Sequence, residues 1–70
     1  MKGSEFLRRV KRLAAARRRP FAFRPDRGKG SHGRVYLGSE FTTVKNLKKE
    51  IGLSLLAKMC RDLGIEPHDL

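Results

Sequence analysis

The chain is poor in the residues that small proteins use to reinforce a small core. Its 70 residues include no tryptophan and a single cysteine, Cys60. One cysteine excludes an internal disulfide framework and is typical of a reducing compartment, so we expect a cytoplasmic protein. Cysteine and histidine are also too few to form a structural zinc site. A chain this short buries only about 60% of its unfolded surface, so its core is marginal.

Long apolar runs are missing as well. No segment approaches the roughly 20 apolar residues that a membrane span needs. The apolar stretch after Lys2 is interrupted at once by Arg8 and Arg9, which is unlike a secretory signal peptide. We therefore expect no membrane among the partners of this protein.

Acidic residues are scarce relative to basic ones. The chain has 17 lysines and arginines against 7 aspartates and glutamates, a formal net charge of +10. So large an excess predicts an acidic partner, which could be RNA, DNA or an acidic protein. Solubility is the simpler role for any single cation. As a group, five of them form a predicted RNA-binding track: Arg8, Lys11, Arg12, Lys45 and Lys48.

Hydrophobic spacing predicts a helix at each end of the chain. Phe6, Val10 and Leu13 recur at helical spacing over about residues 4–18, with Ser4 as the expected N-cap. Near the C-terminus, a second stripe at the same spacing ends in Gly64, which is typical of a left-handed C-terminal cap. That stripe consists of Leu56, Met59, Cys60 and Leu63. Residues 66–70 are expected to form a frayed tail.

The middle of the chain alternates as strands do. Val35 and Leu37 fall on one face of the second strand, and Arg34 and Tyr36 on the other. The connections are short, which predicts antiparallel neighbours. We expect strands over 21–24, 32–37 and 41–44. Phe21, Phe23 and Phe41 could stack on bases, but their period-two spacing favours core positions.

These elements predict a single α+β domain over residues 1–70, with about 4–65 ordered. The order is α-β-β-β-α, with a three-stranded antiparallel sheet and both helices on one face. Double-stranded RNA-binding domains have this general layout. The opposite face of the sheet would remain in contact with water.

A glycine-rich, cationic segment over residues 28–34 carries the most informative chemistry. His32 can take and give a proton near neutral pH. Lys29 and Arg34 bring positive charge to the same place, and the glycines allow close approach of a bulky ligand. A proton shuttle beside an anion site is what cleavage of a phosphodiester needs. The alternative interpretation of the same residues is a simple hairpin turn.

The residues also resemble a known family, the HicA toxins of bacterial HicAB toxin–antitoxin systems. Residues 1–7 are similar to the opening helix of that family, and residues 55–65 to its final helix. The run from Lys29 through Gly30 and Ser31 to His32 matches its signature turn. Many relatives carry a second histidine or an aromatic residue just after the signature histidine, where this chain has Gly33 and Arg34.

This resemblance implies an endoribonuclease that cleaves mRNA and inhibits translation and growth, neutralised by a HicB-like antitoxin. It implies His32 as the catalytic residue. As substrate-binding residues we expect Lys29, Gly30, Ser31 and Arg34. We expect no metal and no cofactor, because the chain offers no carboxylate pair or ligand cluster. A homodimer and a hetero-oligomer with the antitoxin are both compatible with the sequence.

Other interpretations remain open at the level of sequence. The same fold and charge suit a non-catalytic double-stranded RNA-binding module or a small ribosome-associated basic protein. Ser31 could in principle be a nucleophile, but it lacks a third group that would orient a base. Tyr36 could act as a second proton donor. His68 is expected to be a solvated residue of the tail.

Overall fold

The computed structural model describes residues 1–25 and 32–70. Helix α1 spans Gly3–Ala16 and helix α2 spans Leu53–Asp62. Between them lie strands β1 (Phe21–Arg24), β2 (Gly33–Leu37) and β3 (Glu40–Val44). The strands form one antiparallel sheet in the order β1-β2-β3. The predicted α-β-β-β-α order and three-stranded antiparallel sheet are therefore confirmed.

The core lies between this sheet and the two helices. Helix α1 contacts β1 and β2, and helix α2 contacts β3. The sheet contributes the inward residues Val35, Leu37 and Val44, all almost completely buried. Helix α2 contributes Leu56, Met59 and Cys60 of its predicted stripe. Helix α1 contributes Phe6, Val10 and Ala14, while Leu13 of the predicted stripe is only partly buried. Both helices thus cover the same face, and nothing in the described part of the chain covers the other face of the sheet.

Helix α1 begins earlier than the sequence indicates, and without the expected cap. Lys2, not Ser4, is the N-cap residue, and its side chain makes no capping hydrogen bond. The first N–H groups of the helix find tertiary partners instead. Gly3 donates to the carbonyl of Lys49, and Ser4 donates to the carbonyl of Leu47. Because backbone carbonyls satisfy these N–H groups, the helix does not need a side-chain cap.

A residue just after helix α1 has unusual backbone geometry. Arg18 has a φ of 54°, in the left-handed region that favours glycine. The N–H of Arg19 then donates to the carbonyl of Ala14 and closes the helix end. An L-residue with a side chain is less stable than glycine in this conformation by roughly 1 kcal/mol. Arg18 therefore retains a positive charge at some cost in stability.

Replacing Arg18 with glycine should raise the free energy of unfolding by about 0.5–1 kcal/mol. The gain arises because glycine adopts the left-handed conformation without strain. Urea denaturation followed by circular dichroism measures it. Arg12→Gly is the control, since the same change inside the helix should destabilise by about 1 kcal/mol. An Arg18→Gly protein less stable than the parent would contradict the prediction.

The C-terminal residues do not form the frayed tail that the sequence predicts. Gly64 has a φ of 72° and ends α2 as expected, and Ile65 packs back against the core. Pro67–Asp69 then forms a short 3₁₀ helix. The Asp69 carboxylate pairs with the Arg17 guanidinium at 3.2 Å, and Arg9 donates to the Leu70 carbonyl at 3.1 Å. These contacts with α1 hold the segment in place.

A buried polar contact joins β3 to α2. Thr42 is buried, and its hydroxyl donates to the Asp62 carboxylate at 2.9 Å. The Lys58 ammonium donates to the same carboxylate oxygen at 2.9 Å. Hydrogen bonds from Lys58 and from Thr42 stabilise the charged form and hold the pKa of Asp62 below its ordinary value. The contact fixes the position of α2 on the edge of the sheet.

This contact predicts an acid-dependent contribution to stability. A carboxylate whose pKa is lowered on folding stabilises the native state above the pKa of the unfolded chain, about 3.9. That contribution is lost as pH falls through the folded pKa. Asp62→Asn should therefore be less stable than the parent at pH 7, and the difference should shrink below about pH 4. Urea denaturation of the two proteins between pH 7 and pH 2 measures this difference in stability. A difference that does not change with pH would contradict the prediction.

Candidate nucleic-acid interface

His32 lies directly before β2 and is half-buried. Of the other residues in the cationic segment, Arg34 belongs to β2 and is also half-buried. Lys29, Gly30 and Ser31 fall outside the described residues. The structure therefore places His32 and Arg34 on one continuous stretch of chain, two residues apart.

The residue after His32 has no room for a side chain. Gly33 is buried, and a Cβ there would lie 2.7 Å from the ring of Phe23 and 3.2 Å from the Cα of Pro25. Real Cβ atoms essentially never lie as close as the Phe23 distance, and the Pro25 distance is also tight. The residue between His32 and Arg34 is therefore packed closely against β1 and the residue that follows it.

The uncovered side of the sheet, which we call the open face, carries the outward side chains of all three strands. Cross-strand pairing places Ala22 opposite Tyr36 and Arg24 opposite Arg34. It also places Tyr36 opposite Phe41 and Arg34 opposite Thr43. Because side chains alternate along a strand, these residues share one face, while Val35 and Leu37 point to the core. The open face consists of Ala22, Arg24, Arg34, Tyr36, Phe41 and Thr43.

The core role predicted for all three phenylalanines is wrong for Phe41. Phe21 and Phe23 are half-buried and pack against the core, but Phe41 is 44% exposed. The inward positions of β3 are taken by Thr42 and Val44. The alternation of β3 places a threonine inward, and the Asp62 carboxylate accepts the hydrogen bond of its buried hydroxyl.

Aromatic and cationic groups are stacked at the centre of the open face. The guanidinium carbon of Arg34 lies 4.5 Å from the centroid of the Phe41 ring, a cation–π contact. The rings of Tyr36 and Phe41 are 5.7 Å apart, tilted by 41°. These contacts hold a planar cation and two rings together on an exposed surface.

Arg24 and Arg34 form the most unusual pair on this face. They are direct cross-strand partners, an arrangement in which like charges repel. Within residues 1–25 and 32–70, neither forms an ion pair with a carboxylate. Arg24 did not emerge from the sequence as a site residue, because its partner depends on the strand register. The pair concentrates positive charge at the end of the face near His32.

An open cavity of about 350 Å³ adjoins the same face. It is lined by Pro20, Phe21, Ala22, Arg24, Tyr36 and Gly38. The Arg19 guanidinium lies against Gly38, so near that a Cβ there would meet it at 3.0 Å. The cavity is thus bordered by aromatic rings and by two arginines.

The predicted RNA track is divided between two parts of the molecule. Arg8, Lys11 and Arg12 are exposed on α1, on the side of the helix that faces away from the sheet. Arg8 lies 3.9 Å from the Glu5 carboxylate. Lys45 and Lys48 are exposed in the connection between β3 and α2. The structure therefore does not bring the α1 cations together with His32 and Arg34.

Two other candidate groups lie apart from the open face. His68 is exposed in the C-terminal 3₁₀ helix, as expected for a solvated residue, and its Nε2 is 3.7 Å from the Asp69 carboxylate. Cys60 is fully buried, and burial raises the pKa of its thiol, which makes it unreactive. Among the described residues, no three histidine, cysteine or acidic side chains are grouped as metal ligands would be.

Comparisons with protein-family models, with curated proteins and with solved structures found no match to this chain. None of the helices in the described part of the chain has both the length and the apolar character to cross a membrane.

Proposed function

We propose that this protein is a metal-independent endoribonuclease in which His32 acts as the acid/base. One observation carries the proposal: His32 is half-buried immediately before the strand that presents Arg34 and, opposite it, Arg24. A group that transfers protons near neutral pH therefore adjoins a pair of arginines that have no carboxylate partner among residues 1–25 and 32–70. The net charge of +10 supports RNA as the substrate, because a polyanion is attracted to such a domain over long distances.

The proposed reaction uses the ribose itself as the nucleophile. His32 takes the proton of a 2′-hydroxyl, whose oxygen attacks the adjacent phosphorus. The bond from phosphorus to the 5′-oxygen breaks, and the departing oxygen is protonated. The products are a 2′,3′-cyclic phosphate and a 5′-hydroxyl. Arg34 holds the phosphate through its guanidinium N–H groups and stabilises the charge that develops on it. In the reverse assignment, His32 protonates the leaving oxygen.

The biological role that we propose is that of a toxin which cleaves mRNA in the cytoplasm and so inhibits translation and growth. The resemblance of residues 29–32 to the HicA signature turn supports this role. A cytoplasmic ribonuclease has to be held in check. A strongly basic domain is readily covered by an acidic inhibitor, because complementary charge accelerates association. A HicB-like antitoxin is the partner that we propose.

Induced expression in bacteria tests this role directly. The parent chain should arrest growth and cleave transcripts, and His32→Ala should do neither at equal protein level. Growth arrest by both proteins without RNA cleavage would overturn the catalytic role.

A second candidate function is a non-catalytic RNA-binding module. The observation that favours it is the open face, whose arginines and rings can bind RNA without any proton transfer. The two functions differ in one measurement. Under the second, His32→Gln behaves as the parent does, and neither protein cleaves RNA.

A further inference from the structure

We propose that the open face is a binding platform for a single-stranded segment of RNA. An unpaired base packs on the exposed ring of Phe41 beside the half-buried Tyr36, and a phosphate is held between Arg24 and Arg34. This inference rests on the proposed function only in taking RNA as the ligand. It names the strandedness of the substrate and the residues that recognise it, neither of which follows from His32.

The aromatic contacts indicate an unpaired base. Phe41 is 44% exposed, and its ring contacts Tyr36 and the Arg34 guanidinium at the centre of a face that no other element of the described residues covers. In an RNA duplex the faces of the bases are hidden within the helical stack, so a protein meets mainly phosphates, hydroxyls and base edges. A flat aromatic surface therefore contributes to binding only when a base is free to lie on it. Such contacts tolerate any base identity.

The arginine pair indicates a phosphate. Two like charges placed directly opposite each other lower the stability of the free protein. An anion between them would remove that repulsion, and each guanidinium offers several N–H donors in a planar fork. On the remainder of the open face, Ala22, Tyr36, Phe41 and Thr43 carry no negative charge that could serve instead.

The dimensions of the face set the length of the bound segment. Adjacent strands lie about 4.8 Å apart, so the row from Arg24 through Arg34 to Thr43 spans about 10 Å. A four-stranded sheet that binds RNA by stacking takes two or three bases. We expect a similar number of bases here. The RNA should leave the face beside the start of β2, where His32 lies.

Fluorescence anisotropy with labelled RNA tests the platform. The experiment uses the His32→Gln chain, so that the RNA stays intact, and compares a 12-nucleotide single strand with a blunt duplex containing the same sequence. Phe41→Leu keeps apolar bulk but removes the ring. It should weaken single-strand binding about tenfold, the usual loss for one stacked base, and leave duplex binding unchanged.

A charge-matched pair of variants tests the phosphate site. Arg24→Gln/Arg34→Gln should lower the slope of log Kd against log salt for the single strand by about 0.7, because one phosphate is no longer neutralised. Lys49→Gln/Arg61→Gln removes the same charge from exposed positions outside the open face and should leave the slope nearly unchanged.

Several results would overturn the platform. One is a Phe41→Leu protein that binds the single strand as tightly as the parent. Another is an equal decrease in the salt slope for both double variants. Tighter binding of the parent to the duplex than to the single strand would also overturn it. A complete absence of RNA binding would overturn it too. If cleavage depends on His32 but the open-face variants bind normally, the platform is wrong and the proposed function stands.

Discussion

A His32→Gln protein should cleave RNA at least 100-fold more slowly than the parent, because a positioned acid or base contributes roughly 10²–10⁴-fold to such a reaction. Glutamine keeps a polar side chain at this half-buried position but cannot exchange a proton near neutral pH. The fold should be unaffected, since His32 lies outside the apolar core. The measurement is the rate of cleavage of a labelled RNA by purified protein, with circular dichroism as the check on folding.

Two matched controls make this result specific. His68→Gln removes the other histidine of the chain from an exposed position, and it should cleave at the parent rate. A substrate with 2′-deoxyribose throughout should be bound but not cut, because the proposed nucleophile is absent. If His32→Gln retained full activity, or if the deoxy substrate were cut, the mechanism would be wrong.

A Gly3→Ala protein should be destabilised by about 2 kcal/mol or more, the cost of forcing a methyl group into a closely packed site. A Cβ at Gly3 would lie 2.6 Å from the Asn46 carbonyl oxygen and 2.9 Å from the Cα of Leu47. Both are backbone atoms, so the clash cannot be relieved by rotating a side chain. The hydrogen bonds from the start of α1 to the carbonyls of Leu47 and Lys49 would be displaced at the same time.

Thermal unfolding provides the measurement for Gly3→Ala. For a domain of this size, a loss of 2 kcal/mol lowers Tm by roughly 8–16 °C. The matched control is Gly52→Ser, which adds a side chain at the N-cap of α2 where no atom lies within 4 Å. Serine is a favourable N-cap residue, so this variant should be at least as stable as the parent. A Gly3→Ala protein with the parent Tm would contradict the prediction, because it would show that the backbone after β3 can move away from the added methyl group without loss of stability.

Much of the fold could be predicted because it depends on local periodicity. Leu56, Met59 and Cys60 share a helical stripe, and Gly64 follows it as a cap; both features are present in the structure. The alternation of Val35 and Leu37 likewise identified the inward face of β2. Each of these signals lies within a few residues of chain, where backbone geometry alone determines which side chains share a face.

The candidate site was predicted less completely, because its residues come together only through strand pairing. Arg34 was identified from its distance to His32 along the chain. Arg24 was missed because its position opposite Arg34 depends on the register between β1 and β2. Phe41 was assigned to the core because of its period-two spacing. In the structure Thr42 takes the inward position instead, and its hydroxyl donates to Asp62, twenty residues further on.

The sequence by itself determined the class of this domain, the order of its elements and its strong positive charge, since composition and local periodicity carry that information. The tertiary structure decided how α1 begins, how residues 66–70 are held and which side of the sheet remains open. Those features depend on groups far apart in the chain: carbonyls of the connection after β3, the Arg17–Asp69 ion pair and the cross-strand register. A hydrogen bond or ion pair between distant residues has no local pattern, so only the folded chain reveals it.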